Sequence, residues 1–295
     1  MEAWIYITIG AAAAQTGRFM VQKRLTAIGF SATGATWARF LYSAPLVAML
    51  ASAYAIGQGH ARPALGVGFW PYAMAGGAAQ ILATVCVVAI FAHRNFAVGL
   101  TFKKTEVLLT AGLGYLVLGD AVSVWGGLAL AIGFLGLYFL SDPPGGGSVL
   151  NRAAGLGILS GIFFAISAVG YRGAVLAVEG GDTALRAGLA LAIVTSVQTL
   201  VLGTWLLWRA PEQVRLVLSH WRVAGLVGIL SMLGSFGWFV AFSLQNAAYV
   251  FAVGQIELIF AAGASVLVFG ERIARRESSG MALIAASIVL LVTLG

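Results

Sequence analysis

Residues 101–120 read TFKKTEVLLTAGLGYLVLGD, and residues 252–271 read AVGQIELIFAAGASVLVFGE. Adding 151 to each number of the first stretch lays it on the second without a gap. Glu106 then falls on Glu257, Gly112 on Gly263, Gly119 on Gly270, and Asp120 meets Glu271. The same shift pairs Trp70 with Trp221 and Asn95 with Asn246. Two apolar segments match readily by chance in Ala and Leu, but not in Trp, Asn and a midspan Glu. The register therefore marks an internal duplication.

What is duplicated follows from composition. Of 295 residues, 60% are hydrophobic and 9% charged, with a mean hydropathy of +0.96, against roughly 25% charged in soluble domains. Apolar runs long enough to cross about 30 Å of hydrocarbon as helices recur along the chain. They predict spans near residues 3–22, 33–56, 69–92, 96–118, 122–140, 153–177, 184–208, 223–244, 247–269 and 278–294. The first run lacks a basic leader and reads as a retained span. Pro and Gly in SDPPGGGS, residues 141–148, break helical preference and mark a linker. The expected organisation is an all-α membrane protein of ten helices: a five-helix repeat at 1–141, a linker at 142–150 and a second repeat at 151–295. With an odd number of helices per repeat, the second copy enters from the opposite side of the membrane. Inverted repeats characterise secondary transporters, which bind substrate near the midplane at the repeat interface.

The five-plus-five layout, Gly119-Asp120 and Gly270-Glu271-Arg272 closing the fourth and ninth spans, the Gly-rich fifth and tenth spans, and Arg39 early in the second span together resemble the drug/metabolite transporter superfamily. The likeness is to its ten-helix members with two EamA-type domains. It covers essentially the whole chain and implies export or exchange of amino acids or other small metabolites. It also implies a central cavity lined by the third, fourth, eighth and ninth helices. Lys103, Lys104 and Glu106 depart from that pattern, standing where the fourth span is usually uncharged.

Three ionisable groups near a bilayer centre cost roughly 7 to 10 kcal/mol on the insertion scale, if Glu behaves like Asp. The eleven Leu, Val and Phe residues of 96–118 return about 3 to 7 kcal/mol. The charged face must therefore turn to the bundle interior. Lys103 and Glu106 share a helix face, whereas Lys104 points away and needs a carboxylate elsewhere or an anionic ligand. In the second half Gly254, Gln255 and Glu257 hold the corresponding positions. Only the acids are duplicated. If the two approach each other, repulsion and desolvation raise the proton affinity of at least one, which makes a proton or cation relay. The structural alternative makes Glu106 a neutralised salt-bridge partner and pairs Glu257 with Arg39 or Arg186 simply to hold helices together.

The expected substrate-binding set is thus Lys103, Lys104, Glu106 and Glu257, with Gln80 as a midspan donor, Gln255, Arg39 and Trp238 as a stacking surface. Asn95 and Asn246 read as helix N-caps, and the Gly-rich fifth and tenth spans as close helix contacts. His60, His93 and His220 show no metal-ligand spacing, and no nucleophile elbow or P-loop occurs. The expectation is a non-enzymatic chain without cofactor or nucleic acid, whose partners are a small-molecule substrate and the bilayer. Eleven Lys and Arg counted in loops on one side (Arg18, Lys23, Arg24, Arg94, Arg152, Arg209, Arg215, Arg222, Arg272, Arg275 and Arg276) oppose two on the other, Arg62 and Arg172. Positive-inside asymmetry then puts both termini outside the cytoplasm. The expected function is secondary transport of an amino acid or related solute across an inner membrane. The alternatives are an anion exchanger for phosphorylated sugars or nucleotides using Lys103 and Lys104, and a membrane receptor or scaffold without flux.

Overall fold

A computed structural model describes residues 2–59, 63–90, 103–140, 152–260 and 275–294. The described chain is almost wholly helical: α1 Ala3–Ala27, α2 Ala32–Gly57, α3 Phe69–Ile90, α4 Glu106–Leu118, α5 Val124–Leu140, α6 Arg152–Leu176, α7 Thr183–Arg209, α8 Pro211–Ser219, α9 Trp221–Leu244, α10 Ala247–Gly254 and α11 Arg275–Leu294. Five of these, α2, α3, α6, α7 and α9, are long and apolar enough to cross a membrane. The expected spans each overlap a helix among the described residues, although α4 begins only at Glu106 and α10 ends at Gly254; two further differences stand out. Helix α1 runs five residues past its expected end at 22, and α8 was not expected. The linker at 142–150 and Asn95 lie outside the described residues.

Polarity is distributed inside out relative to a soluble protein. Leu116, Val124 and Trp208 are 79%, 88% and 76% exposed, while Lys103, Lys104 and Glu106 are 2%, 3% and 4% exposed. An apolar exterior around a charged interior is the arrangement a lipid solvent favours. Helix α1 packs on α9, α3 on α6, α2 on α7, α5 on α11, and α4 meets α10. Small residues permit the closest of these approaches. A Cβ added at Gly136 would stand 2.8 Å from the Gly280 carbonyl oxygen, and one at Gly133 2.8 Å from Ser287 Oγ. Gly133 and Gly136 of α5 therefore serve close contact with α11, as expected of that span, while Gly126 meets Tyr249 of α10.

Local signals recur at a spacing of 151. Ser31 caps α2 by accepting from Gly34 N (3.0 Å), and Asp182 caps α7 by accepting from Leu185 N (2.8 Å). Two residues before each cap, Gly29 and Gly180 hold φ of 100° and 82°, which side-chain-bearing residues rarely adopt. Trp70 stands in the first turn of α3 and Trp221 begins α9, both exposed. At one end of the bundle Ser31 N donates to Gln213 Oε1 of α8 (2.8 Å). At the other, strands Ala64–Leu65 and Val178–Glu179 pair antiparallel.

Candidate functional site

Two helices are interrupted at the charged positions. Before α4 the chain turns at Lys104 and Thr105, and after α10 it turns at Gln255 before helix resumes over residues 256–260. Both breaks close in the same way: Val107 N donates to the Lys104 carbonyl (3.3 Å), and Leu258 N donates to the Gln255 carbonyl (3.0 Å). These are three-residue closures in place of four-residue ones, and they sit 151 apart. Helix α6 lies directly against the first break, where a Cβ at Gly161 would be 2.6 Å from Thr105 Oγ1 and 2.9 Å from the Lys103 carbonyl oxygen. Because α4 starts afresh at Glu106, this carboxylate stands in a first turn, where the helix dipole favours negative charge.

The breaks bring four charges together. Lys103 Nζ is 2.8 Å from Glu106 Oε1 and 3.8 Å from Glu257 Oε1, and Lys104 Nζ pairs directly with Glu257 Oε1. The spacing rule for Lys103 and Glu106 holds, and the carboxylate that Lys104 requires is Glu257. Ammonium groups lie between the acids, so their mutual repulsion, expected above, is screened at its source. The structural pairing of Glu257 with Arg39 or Arg186 is not made. Arg39 turns to hydroxyl groups, and Arg186 Nε is buried without a partner. Gln15 of α1 also holds Glu257, donating to Oε2 at 2.9 Å. Lys103 in addition lies 4.6 Å from the Phe164 ring centroid.

A cavity opens over this cluster. Seven of the eight expected residues, Lys103, Lys104, Glu106, Glu257, Gln80, Arg39 and Trp238, line it. Gln255 does not: it lines a separate small cavity among α4, α5, α10 and α11, with Oε1 unpartnered. This charged cavity holds about 30 Å³ in the arrangement described, room for a water or two, so a metabolite enters it only when the surrounding helices move apart. Among the described residues, two buried polar atoms of lining side chains have no partner, Glu106 Oε2 and Trp238 Nε1. Trp238 is 8% exposed, stacks on Phe242 and meets Phe251 edge-on. Gly254 makes room for it, since a Cβ there would be 2.5 Å from the indole.

Sequence reasoning missed Gln15, Ser167, Tyr171 and Ser235 as lining residues. Only Gln15, alone among alanines in AAAAQTG, carried a signal in its local sequence.

Two arginines counted as loop residues belong inside the bundle. Arg18 lies within α1, 2% exposed, reaching Gln15 Oε1 at 3.4 Å and stacking on Phe19. Arg172 lies within α6 and clasps Asp120 with two hydrogen bonds, 2.6 and 2.9 Å. Its Nη1 also donates to the carbonyls of Phe242 and Gln245, at 2.6 and 2.7 Å. The Gly119-Asp120 pair explains the latch. Gly119, at φ 71°, ends α4 in a left-handed turn closed by Asp120 N to the Gly114 carbonyl. That turn presents Asp120 to Arg172, tying the ends of α4, α6 and α9.

Residues 151–293 match the EamA-like transporter family. The EamA-like segment contains α6 through α11, and with them Glu257, Trp238 and Arg172. No curated protein matches the chain. Among solved structures 24 chains match. One, described as "Crystal structure of protein", superposes with a TM-score of 0.70 at 13% identity, over 99% of this chain and 96% of that one. At such identity the likeness is one of fold alone, and it runs the whole length. The EamA-like match over residues 151–293 and the apolar helices together support a multi-pass membrane protein.

Proposed function

We propose that the chain is a secondary transporter that moves a small polar metabolite, an amino acid or related organic solute, across an inner membrane by alternating access. The observation that carries this reading is the buried Lys103, Lys104, Glu106 and Glu257 cluster at two matched helix breaks. Ionisable groups inside a membrane mark substrate and ion pathways, and interrupted helices supply such sites in transporters. Glu106 Oε2 lacks a donor and Trp238 Nε1 lacks an acceptor, which suits a solute offering both. Glu106 and Glu257 exchange their lysine partners for a solute ammonium or a proton, and this exchange is the relay. The phosphorylated-anion alternative on Lys103 and Lys104 has less support, since both ammonium groups already face carboxylates.

The chain is read as two five-helix repeats of opposite orientation, 1–141 and 151–295, joined by 142–150, with ten spans in all. The matched caps, the left-handed glycines, the paired breaks and the tryptophans at opposite ends of the bundle support this. Setting aside Arg18 and Arg172, the loop count becomes ten against one (eleven less Arg18; two less Arg172). It keeps its sign, with both termini outside the cytoplasm. In this reading the Arg172–Asp120 ion pair is the latch that closes the terminal end.

Counterflow in proteoliposomes against a broad metabolite panel, at several pH values, tests the proposal. Exchange of an amino acid or related solute is expected, reduced by Glu106→Gln and Glu257→Gln. Binding without counterflow would instead identify a receptor. Normal flux with unchanged pH dependence in both variants would remove the relay.

A further inference from the structure

The cavity is lined by three cations, Arg39, Lys103 and Lys104, and two acids, Glu106 and Glu257. The lysines and glutamates cancel one another. The remaining charge is that of Arg39, 4% exposed, and every partner it has is neutral. Nε donates to Ser231 Oγ (2.8 Å), Nη1 to Thr84 Oγ1 (2.9 Å) and Nη2 to Ser235 Oγ (3.1 Å).

The two remaining guanidinium hydrogens face the Gln80 amide, which lies between Arg39 and Ser167. An amide nitrogen turned to the guanidinium would set donor against donor, so the oxygen belongs on that side. It then accepts from Nη2 at 2.9 Å and Nη1 at 3.0 Å, while the amide nitrogen donates to Ser167 Oγ at 2.6 Å. One oxygen spanning both Nη groups occupies the position in which a carboxylate binds arginine bidentately. Arg18, also buried, has no acid partner among the described residues either, and its Nη1 is unpartnered there. Buried charge in a membrane interior usually belongs to a pathway or a ligand site.

We infer that Arg39 is the carboxylate-binding and specificity-determining group of the cavity, and that the Gln80 amide oxygen is a displaceable stand-in for the carboxylate of a small organic acid. The inference deepens the transport reading and rests on it for its pathway. It moves anion recognition from Lys103 and Lys104 to Arg39. Phe164, Trp238, Phe239, Phe242 and Phe251 line the same cavity, so the acid carries an apolar body. If it also bears an ammonium group, Glu106 Oε2 is the free acceptor for it.

The experiment titrates the reconstituted full chain with 3-phenylpropionate, its amide 3-phenylpropionamide, L-leucine and inorganic phosphate, followed by tryptophan fluorescence and thermal unfolding. The carboxylates are expected to bind and the amide not. Arg39→Gln should raise the half-saturating carboxylate concentration roughly ten- to a hundredfold, the range for a hydrogen bond to a charged group. Arg39→Lys should weaken binding as well, because it keeps the charge and loses the fork. This variant carries the test if Arg39→Gln fails to fold. Gln80→Ala, which removes the stand-in, should bind the carboxylates at least as tightly as the unmodified chain. The inference is overturned if the amide binds as well as the acid, if Arg39→Lys binds with unchanged half-saturation, if phosphate displaces the acid at equal concentration, or if none of the probes binds. Counterflow of a solute without a carboxylate, indifferent to Arg39→Lys, overturns this inference and leaves transport standing. Carboxylate binding that depends on Arg39 without counterflow of any solute does the reverse.

Discussion

At the first helix break the residues ahead of the acid are Lys103 and Lys104; at the second they are Gly254 and Gln255. The backbones are alike, down to the same three-residue closure by Val107 and Leu258. The acids are alike too, Glu106 and Glu257. The side chains ahead of them divide the labour. The first break brings both cations, and one of them crosses to neutralise the acid of the second. The second brings Gly254, whose missing Cβ admits Trp238, and Gln255, which turns to another cavity. Two breaks closed in the same way thus differ in the side chains ahead of their acids, and that difference makes the charge cluster between them asymmetric.

The comparison breaks most sharply if the crossing ion pair is cut. Glu257→Ala leaves Lys104 buried without its carboxylate and should cost about 3 to 5 kcal/mol, read as a fall in melting temperature of the detergent-solubilised protein. Combining it with Lys104→Met should restore part of that loss. Additive losses in this cycle would mean that the two breaks are not coupled through the pair.

The Arg172–Asp120 latch joins the ends of α4, α6 and α9, at the end of α4 opposite the first break. Arg172→Gln should cost about 1.5 to 3 kcal/mol, since it removes charge-assisted hydrogen bonds from a largely buried group. With the latch open, Ser235→Cys in a Cys86→Ala background should react faster with an impermeant maleimide applied from the Asp120 side. Unchanged labelling would show that the seal lies elsewhere.

Gly254→Ala sharpens the difference between the breaks by making the second more like an ordinary helix. Its Cβ would meet the Trp238 indole, for an overpacking cost of about 1 to 3 kcal/mol. The accompanying change in tryptophan fluorescence checks that Trp238 is the group displaced. Asn246→Ala removes the cap of α10, where the side chain accepts from Ala248 N at 2.9 Å. About 1 kcal/mol is expected, visible as a small drop in melting temperature, with the site left formed.

Much of the architecture was legible because its signals are local or periodic. Apolar runs fixed where the helices lie, and the Lys103–Glu106 pair followed from helical spacing. Asn246 read correctly as a cap because capping is decided within three residues. Arg18 and Arg172 fall within the expected spans 3–22 and 153–177, yet both were counted with the loops, because a charge towards the end of an apolar run reads as facing the interface. A charge met by Gln15, Asp120 or a neighbouring carbonyl stays inside. Helix α8 was missed because nine residues of mixed polarity look like a loop until α7 and α9 are in place.

By itself, then, the sequence determined the apolar helices, the register of 151 and the acids that share it, since each depends on composition or spacing along one chain. The tertiary structure alone decided which charges meet. Glu257 found Lys104 and not Arg39 or Arg186, because pairing across helices depends on how α4 and α10 cross. Arg39 was left among hydroxyl groups and an amide because α2, α3 and α9 bring only neutral side chains to it. The charge of a cavity is a sum over helices distant in sequence, and no single stretch of the chain contains that sum.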